Sequence, residues 1–246
     1  MAAEHSFWLT QLLNKLIGGW VTILLVRLGY PPAHPSSPIP NYVGEEILII
    51  LLILLGALVL RPQLSVEDPG RFQLAMEAVV QFCRGMAEDM IGASGERYVA
   101  IIGTLGIFIA LCNLLGLIPG LDSPTAHGAI PLGCAVVVFL HYNAQGIRHH
   151  GVWGYIKQLC GPMKAVAFLM LPIEIFSNLM RMLSLTVRLW ANMYAGGLLE
   201  KMFTSLVPLI VPAIFMALHI FESFLQAYIF MILPAVYISL ATAEEH

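Results

Sequence analysis

The sequence predicts an all-α polytopic membrane protein with about three transmembrane helices, an interfacial amphipathic helix and a long, strongly tilted C-terminal helical hairpin. Three observations predict it. Among 246 residues, 59% are hydrophobic and 11% charged, whereas a soluble domain carries about 25% charged residues. Apolar runs near or above about 18 residues recur along the chain, and that length crosses a bilayer as a helix. The last two runs exceed what an upright crossing needs and carry polar residues on single faces. The net charge of −3 and the lack of a basic run exclude nucleic acid as a partner. Four cysteines (Cys83, Cys112, Cys134, Cys160) lie more than twenty residues apart without metal-ligand spacing, so they read as buried free thiols. No cofactor or metal site is expected. No internal repeat and no cleavable signal pattern is visible, so the spans themselves are expected to direct insertion.

Residues 1–40 form an N-terminal interfacial segment and a linker. Trp8, Lys15, Trp20 and Arg27 interrupt its apolar pattern, and Gly18-Gly19 weakens a helix. An interfacial helix is the first reading and a poor span the second. Five prolines between Pro31 and Pro40 cannot continue a helix and predict an extended linker.

Residues 41–246 form a single membrane domain. Its first span covers about 41–60, with Glu45 and Glu46 at the start and Arg61-Pro62 at the end. Arg71 to Ile91 alternates apolar and charged residues at helical spacing, which predicts an amphipathic helix along the membrane surface. A second span covers about 98–118 and ends in a Pro119-Gly120 turn; a short loop leads to a third, about 129–147. Arg148, His149, His150, Lys157 and Lys164 then mark a basic, solvated loop. The loops at 61–97 and 148–164 carry four and three Lys/Arg, while those at 119–128 and 203–210 carry none. The positive-inside rule therefore makes the basic loops cytoplasmic, the N-terminus external and the C-terminus cytoplasmic.

The hairpin is expected at about 165–202 and 208–241. Thirty-eight helical residues reach about 57 Å, against a hydrocarbon core of about 30 Å, and tilts up to about 40° do not absorb the excess. The first arm is therefore strongly inclined or broken near Gly196-Gly197.

Within that arm, Arg188 has no charged residue for six positions before it and eleven after. A cation at membrane depth costs about 2.5–3.5 kcal/mol on insertion scales, and a guanidinium does not escape by deprotonating. Arg188 needs a water-lined cavity, an interior partner or a carboxylate from another subunit. Steps of seven and four along the helix place Glu174, Asn178, Arg181, Ser184, Arg188 and Asn192 on one face, a polar track. On the second arm His219, Glu222 and Gln226 share a face at spacings of three and four. Singly, a core histidine and an interhelical glutamine are ordinary; together, opposite an Arg-bearing helix, they point to an aqueous crevice. Tyr228 and Tyr237 read as packing or interfacial residues.

These segments resemble subunit a of the F-type ATP synthases. S-L-T-V-R-L-W-A-N-M-Y-A-G-G matches the family motif around its essential arginine, and F-L-Q-A-Y-I-F-M-I-L-P-A-V-Y-I-S-L matches its last helix. N-L-L-G-L-I-P-G and Y-N-A-Q-G-I-R-H-H-G match two further segments less specifically. The resemblance implies a stator that moves H⁺ or Na⁺ in a bacterial inner membrane, with its hairpin against the c-ring, and peripheral-stalk subunit b and lipid as further partners. It makes Arg188 the essential arginine, Asn192 its polar neighbour and Gln226 the residue facing it. Glu174, His219 and Glu222 would line two aqueous half-channels. The chain departs from the family at Gly197, where an acid or histidine is common, so Glu200, or His219 with Glu222, would have to serve. Met182 also stands where a proline is common. No P-loop pattern is present, so nucleotide chemistry belongs to partner subunits. A stand-alone secondary proton or cation transporter is the alternative, and it predicts repeats and broken helices that the sequence lacks. A structural scaffold leaves the polar faces unexplained.

Overall fold

The computed structural model describes residues 7–27, 29, 37–92, 94–118, 120–160, 167–206 and 210–242. Much of the Pro-rich linker (31–36), the end of the basic loop (161–166), the hairpin turn (207–209) and the tail from 243 lie outside the described residues. Among the described residues seven helices follow in order: α1 (Trp8–Arg27), α2 (Asn41–Leu60), α3 (Arg71–Ile91), α4 (Val99–Leu115), α5 (Ala129–Cys160), α6 (Ala167–Leu206) and α7 (Ile210–Thr242). Short 3-10 turns at Arg61–Gln63, Gly95–Tyr98 and Pro124–Ala126 punctuate them. No strand occurs among the described residues.

Six of these helical stretches are long and apolar enough to cross a membrane, including Trp8–Arg27 and excluding α3. The amphipathic pattern of 71–91 does form a helix with those bounds. Its inward face, with Cys83, Met86 and Ala87 buried, packs on α4 and α7 through Ile102 and Ala235. Small residues let these helices approach, as is usual where lipid supplies no driving force between them. A Cβ on Gly103 would sit 3.6 Å from Cys83 Sγ, and one on Gly106 only 2.5 Å from Met231 Cγ.

The core is built where α4, α5, α6 and α7 meet. Ile109, Val138, Tyr142, Leu185, Leu189, Met193, Phe230 and Ile238 are buried together there. α2 joins this body more lightly, with Ile49 against Cys112 and Leu115. α1 leans on α2: Gly44 meets Thr10, and Asn14 exchanges hydrogen bonds with the Ile39 backbone at 2.9 and 3.0 Å.

One segment differs from the sequence expectation, and another resolves an alternative that the sequence left open. The third span runs on as helix to Cys160, interrupted at Gly151, whose φ of 71° is open to glycine and costly for other residues. The segment after the break, expected as loop, folds back because Gly146 leaves room for the Tyr155 ring, and Tyr155 Oη donates to Asn143 Oδ1 at 2.8 Å. The first hairpin arm is a continuous helix through Gly196-Gly197, so of the two expected geometries the unbroken one holds. Forty residues reach about 60 Å.

α6 is the least buried of the long helices. Between Phe168 and Phe203 five residues are buried (Asn178, Leu185, Thr186, Leu189 and Met193), against nine between Ala213 and Thr242 of α7. Ile173, Phe176, Val187 and Tyr194 stand exposed along it.

Candidate functional site: two polar clusters on either side of Arg188

The polar track of α6 divides in the folded chain. Its N-terminal part is drawn inward. Arg181 Nη2 lies 3.5 Å from Glu174 Oε1, and Arg181 Nη1 donates to Asn178 Oδ1 at 3.2 Å. That same oxygen accepts from the Tyr142 hydroxyl of α5 at 3.4 Å. The guanidinium stands 5.5 Å from the ring centre of Tyr237 on α7, within reach of a cation–π attraction. Asn178 is buried, and Glu174 and Arg181 are half-buried. This inner cluster ties three helices together.

The middle of the track is bare. Ser184, Arg188 and Asn192 are exposed, while Leu185, Leu189 and Met193 on the adjacent face are buried against α5 and α7. Among the described residues Arg188 has no hydrogen-bond or ion-pair partner. An unpaired guanidinium at membrane depth, on the least buried helix, is stable only against water or an external anion.

The C-terminal part of α6 borders an open cleft of about 810 Å³. Trp190, Tyr194, Gly197, Glu200 and Lys201 of α6 line it, with His219 of α7 and Asp122, Ser123 and His127 of the α4–α5 loop. The loop is held in place by a buried relay: Ser123 Oγ donates to Cys112 O (3.0 Å), and Thr125 Oγ1 donates to Asn113 Oδ1 (2.5 Å). Lys201 Nζ reaches Asp122 Oδ1 across the cleft at 2.8 Å. That pair is exposed and stabilises by at most about 1 kcal/mol, so it is easily opened.

His219 forms part of the cleft wall. It is 4% exposed, and neither ring nitrogen has a partner among the described residues. Buried imidazole nitrogens without partners call for water. Gly196 brings α6 onto this spot: a Cβ there would stand 3.4 Å from His219 Nδ1 and 3.6 Å from Glu222 Oε2. Glu222 thus lies beside His219 at the same crossing. Over Gly197 there is open space, with nothing within 4 Å of where a Cβ would sit. Gln226 is 1% exposed with Oε1 unpartnered; no hydrogen bond joins it to Arg188 among the described residues.

Distances along α6 set the scale. Arg188 lies about 21 Å from Glu174 and about 18 Å from Glu200, at 1.5 Å per residue. A central cation therefore has a polar cluster on each side of it.

The family model described as ATP synthase A chain matches residues 46–239. The chain belongs to this ATP synthase subunit a family. The subunit a of Koribacter versatilis is 46% identical over 242 residues, covering 98% of this chain and 99% of that protein. That of Solibacter usitatus is 44% identical over 214 residues (87% and 92%), and that of Geobacter sulfurreducens 37% over 215 (87% and 93%). Six apolar helices and membership of this family make the chain an integral membrane protein that works with other ATP synthase subunits.

Several residues of this subunit a site were not legible as such in the sequence. Tyr237 lies eleven residues after Gln226, close to three helical turns, so its place on the same face of α7 was readable; its position over Arg181 was not. Asp122 and Lys201 are far apart in sequence and gave no signal of pairing. Tyr142 was read only as the end of a span.

Proposed function

We propose that this chain translocates protons, or Na⁺, as the static channel of the ATP synthase membrane sector. The carrying observation is Arg188: unpaired, exposed and central on α6, with a hydrated-type cleft on one side and the Glu174–Arg181 cluster on the other. The α4–α5 loop that rims the cleft carries no Lys or Arg, whereas the loops at the other helix ends are basic. Under the positive-inside rule the cleft opens outward and the Glu174 cluster inward. The membrane is then a bacterial inner membrane, with the N-terminus outside and the C-terminus cytoplasmic.

The physical scheme follows from charge. A carboxylate on a neighbouring rotor helix faces lipid only when neutralised, because an isolated buried charge is prohibitive. Opposite Arg188 the ionised form is favoured, so the ion leaves there into one path. The fixed guanidinium repels a cation moving directly between the two paths. The ion therefore travels with the rotor, and its gradient becomes torque. His219 and Glu222, with Glu200 nearby, handle ions in the outer cleft; Glu174, with Arg181 and Asn178, borders the inner path; Ser184 and Asn192 flank Arg188; Gln226 supplies a buried amide behind it. The exposed face of α6 meets the c-ring, and peripheral-stalk subunit b and lipid contact the chain elsewhere. This reading is favoured over the stand-alone transporter by the family match and by α6, which is neither broken nor covered.

The test is ATP-driven proton pumping in vesicles with Arg188→Ala in an assembled complex. Pumping is expected to fall to background, and Arg188→Lys to fail as well, because an ammonium lacks the planar fork. Wild-type pumping by an assembled Arg188→Ala complex would end the assignment.

A further inference from the structure

We propose that Glu45 of α2 is a proton-binding station at the outer mouth of the cleft, passing protons between external water and the water that reaches His219. The inference rests on the channel reading above and adds a residue from a helix that contributes nothing else to the path. Glu45 is 3% exposed. Its Oε1 accepts the Asp122 backbone N–H at 3.2 Å, which places the carboxyl directly behind the cleft-lining loop. Its Oε2 is buried and has no partner among the described residues. Asn113 Nδ2, next to the same loop through Thr125, is a second buried polar atom without a partner.

A structural role accounts for only half of this carboxyl. One acceptor suffices for the Asp122 N–H, and Glu45 does not cap its own helix. An ionised carboxylate held away from water with one oxygen unpaired is costly, so the group is stable either protonated or wetted from the cleft. Its surroundings let it alternate. Asp122 and Lys201 are the charged groups acting on it from the loop and α6. Glu46 is its chain neighbour, His127 stacks on Tyr42 one turn before it with ring centres 4.4 Å apart, and α1 brings the neutral Thr10 to Gly44. The Asp122–Lys201 bridge spans the cleft beside it and is weak enough to open. The step is a simple proton balance: the carboxylate takes H⁺ from external water and becomes neutral, then returns it to a water in the cleft and regains its charge.

The experiment compares Glu45→Gln, Glu45→Asp and Glu45→Ala in the complete complex, reading passive proton conduction after the catalytic head is stripped from the membranes. Glu45→Gln keeps an acceptor for the Asp122 N–H and loses the proton site. Conduction is expected to fall about tenfold in Glu45→Gln, to persist in Glu45→Asp, and in Glu45→Ala to recover on adding formate, as for a lost proton-transfer group. Wild-type conduction in Glu45→Gln would overturn the proposal and leave the channel reading intact. Loss of assembly in Glu45→Ala with normal assembly and conduction in Glu45→Gln, or absence of formate rescue in an assembled Glu45→Ala complex, would make Glu45 a structural acceptor only. Wild-type ATP-driven pumping by an assembled Arg188→Ala complex, measured in parallel, would instead remove the channel reading itself.

Discussion

Glu222 and His219 meet Gly196 at one crossing, while the next residue, Gly197, opens on empty space. The acid that the family resemblance expects at position 197 is absent, and the carboxylate nearest the crossing comes from the opposite helix. Glu222→Gln is therefore expected to slow passive proton conduction about tenfold, less than the about 100-fold that a sole positioned proton-transfer group contributes at the least, because Glu200 and His219 share the cleft. Gly197→Glu has room for its side chain and is expected to restore part of that loss. Unchanged flux in Glu222→Gln would leave Glu200 as the acid of the cleft. Arg181 poses a different question, because it is engaged by Glu174, Asn178 and Tyr237 together. Arg181→Ala leaves Glu174 half-buried without its cation, and truncating one partner of such a pair harms more than the pair contributes. A lowered yield of assembled complex is expected, rescued in part by the double variant Glu174→Gln/Arg181→Ala. Equal yields for the single and double variants would mean that the pair carries no coupling.

At the scale of elements, close approach depends on a few glycines. A Cβ on Gly95 would stand 2.7 Å from the Ala87 carbonyl carbon, a backbone atom that has no freedom to move aside. Gly95→Ala is expected to prise the α3–α4 turn apart and to cost about 1–3 kcal/mol, as overpacking does, read as a lower thermal midpoint in detergent. An unchanged midpoint would show that the α3–α4 turn shifts freely. Gly146 similarly admits the Tyr155 ring, so Gly146→Val is expected to expel the 152–160 segment from the part of α5 before Gly151 and expose it to protease. The fold-back was not readable from charge: Arg148, His149 and His150 mark a solvated stretch, and only the packing of Tyr155 against a missing side chain makes it helical. By contrast, 71–91 was readable in full, because a surface helix writes its buried face into its own periodicity.

For the whole molecule, the proposed channel requires the two polar clusters to open to opposite sides of the membrane. Single cysteines replacing Glu174 and His219, in a background without native cysteines, are expected to react with silver ion from the inner and the outer side respectively. Reaction of both from one side would remove the two-path arrangement. The uncovered face of α6 gives a second expectation: cysteines at Ser184 and Asn192 should be shielded in the assembled complex and reactive in the isolated subunit. Of the six membrane-length helices, α1 was read from Gly18-Gly19 and Lys15 as interfacial first and as a poor span second, and by length and composition it is able to cross. Its hydrogen bonds to Ile39 and its packing on Gly44 bind it to α2 in either placement.

The sequence by itself determined the membrane class, the long hairpin and the isolation of Arg188, because lipid imposes composition and periodicity on each helix separately. It also placed Glu174, Arg181 and Asn178 near one another, since neighbours one or two turns apart on a helix are fixed by the helix itself. The tertiary structure decided the rest. Which part of the polar track is covered depends on how α5 and α7 lie across α6, so Asn178 is buried and Arg188 bare. That Asp122 and Lys201 meet across one cleft with Glu45 behind the loop, and that Glu222 reaches Gly196, are contacts between segments distant in sequence. Such contacts leave no period in the chain, because only packing brings those positions together.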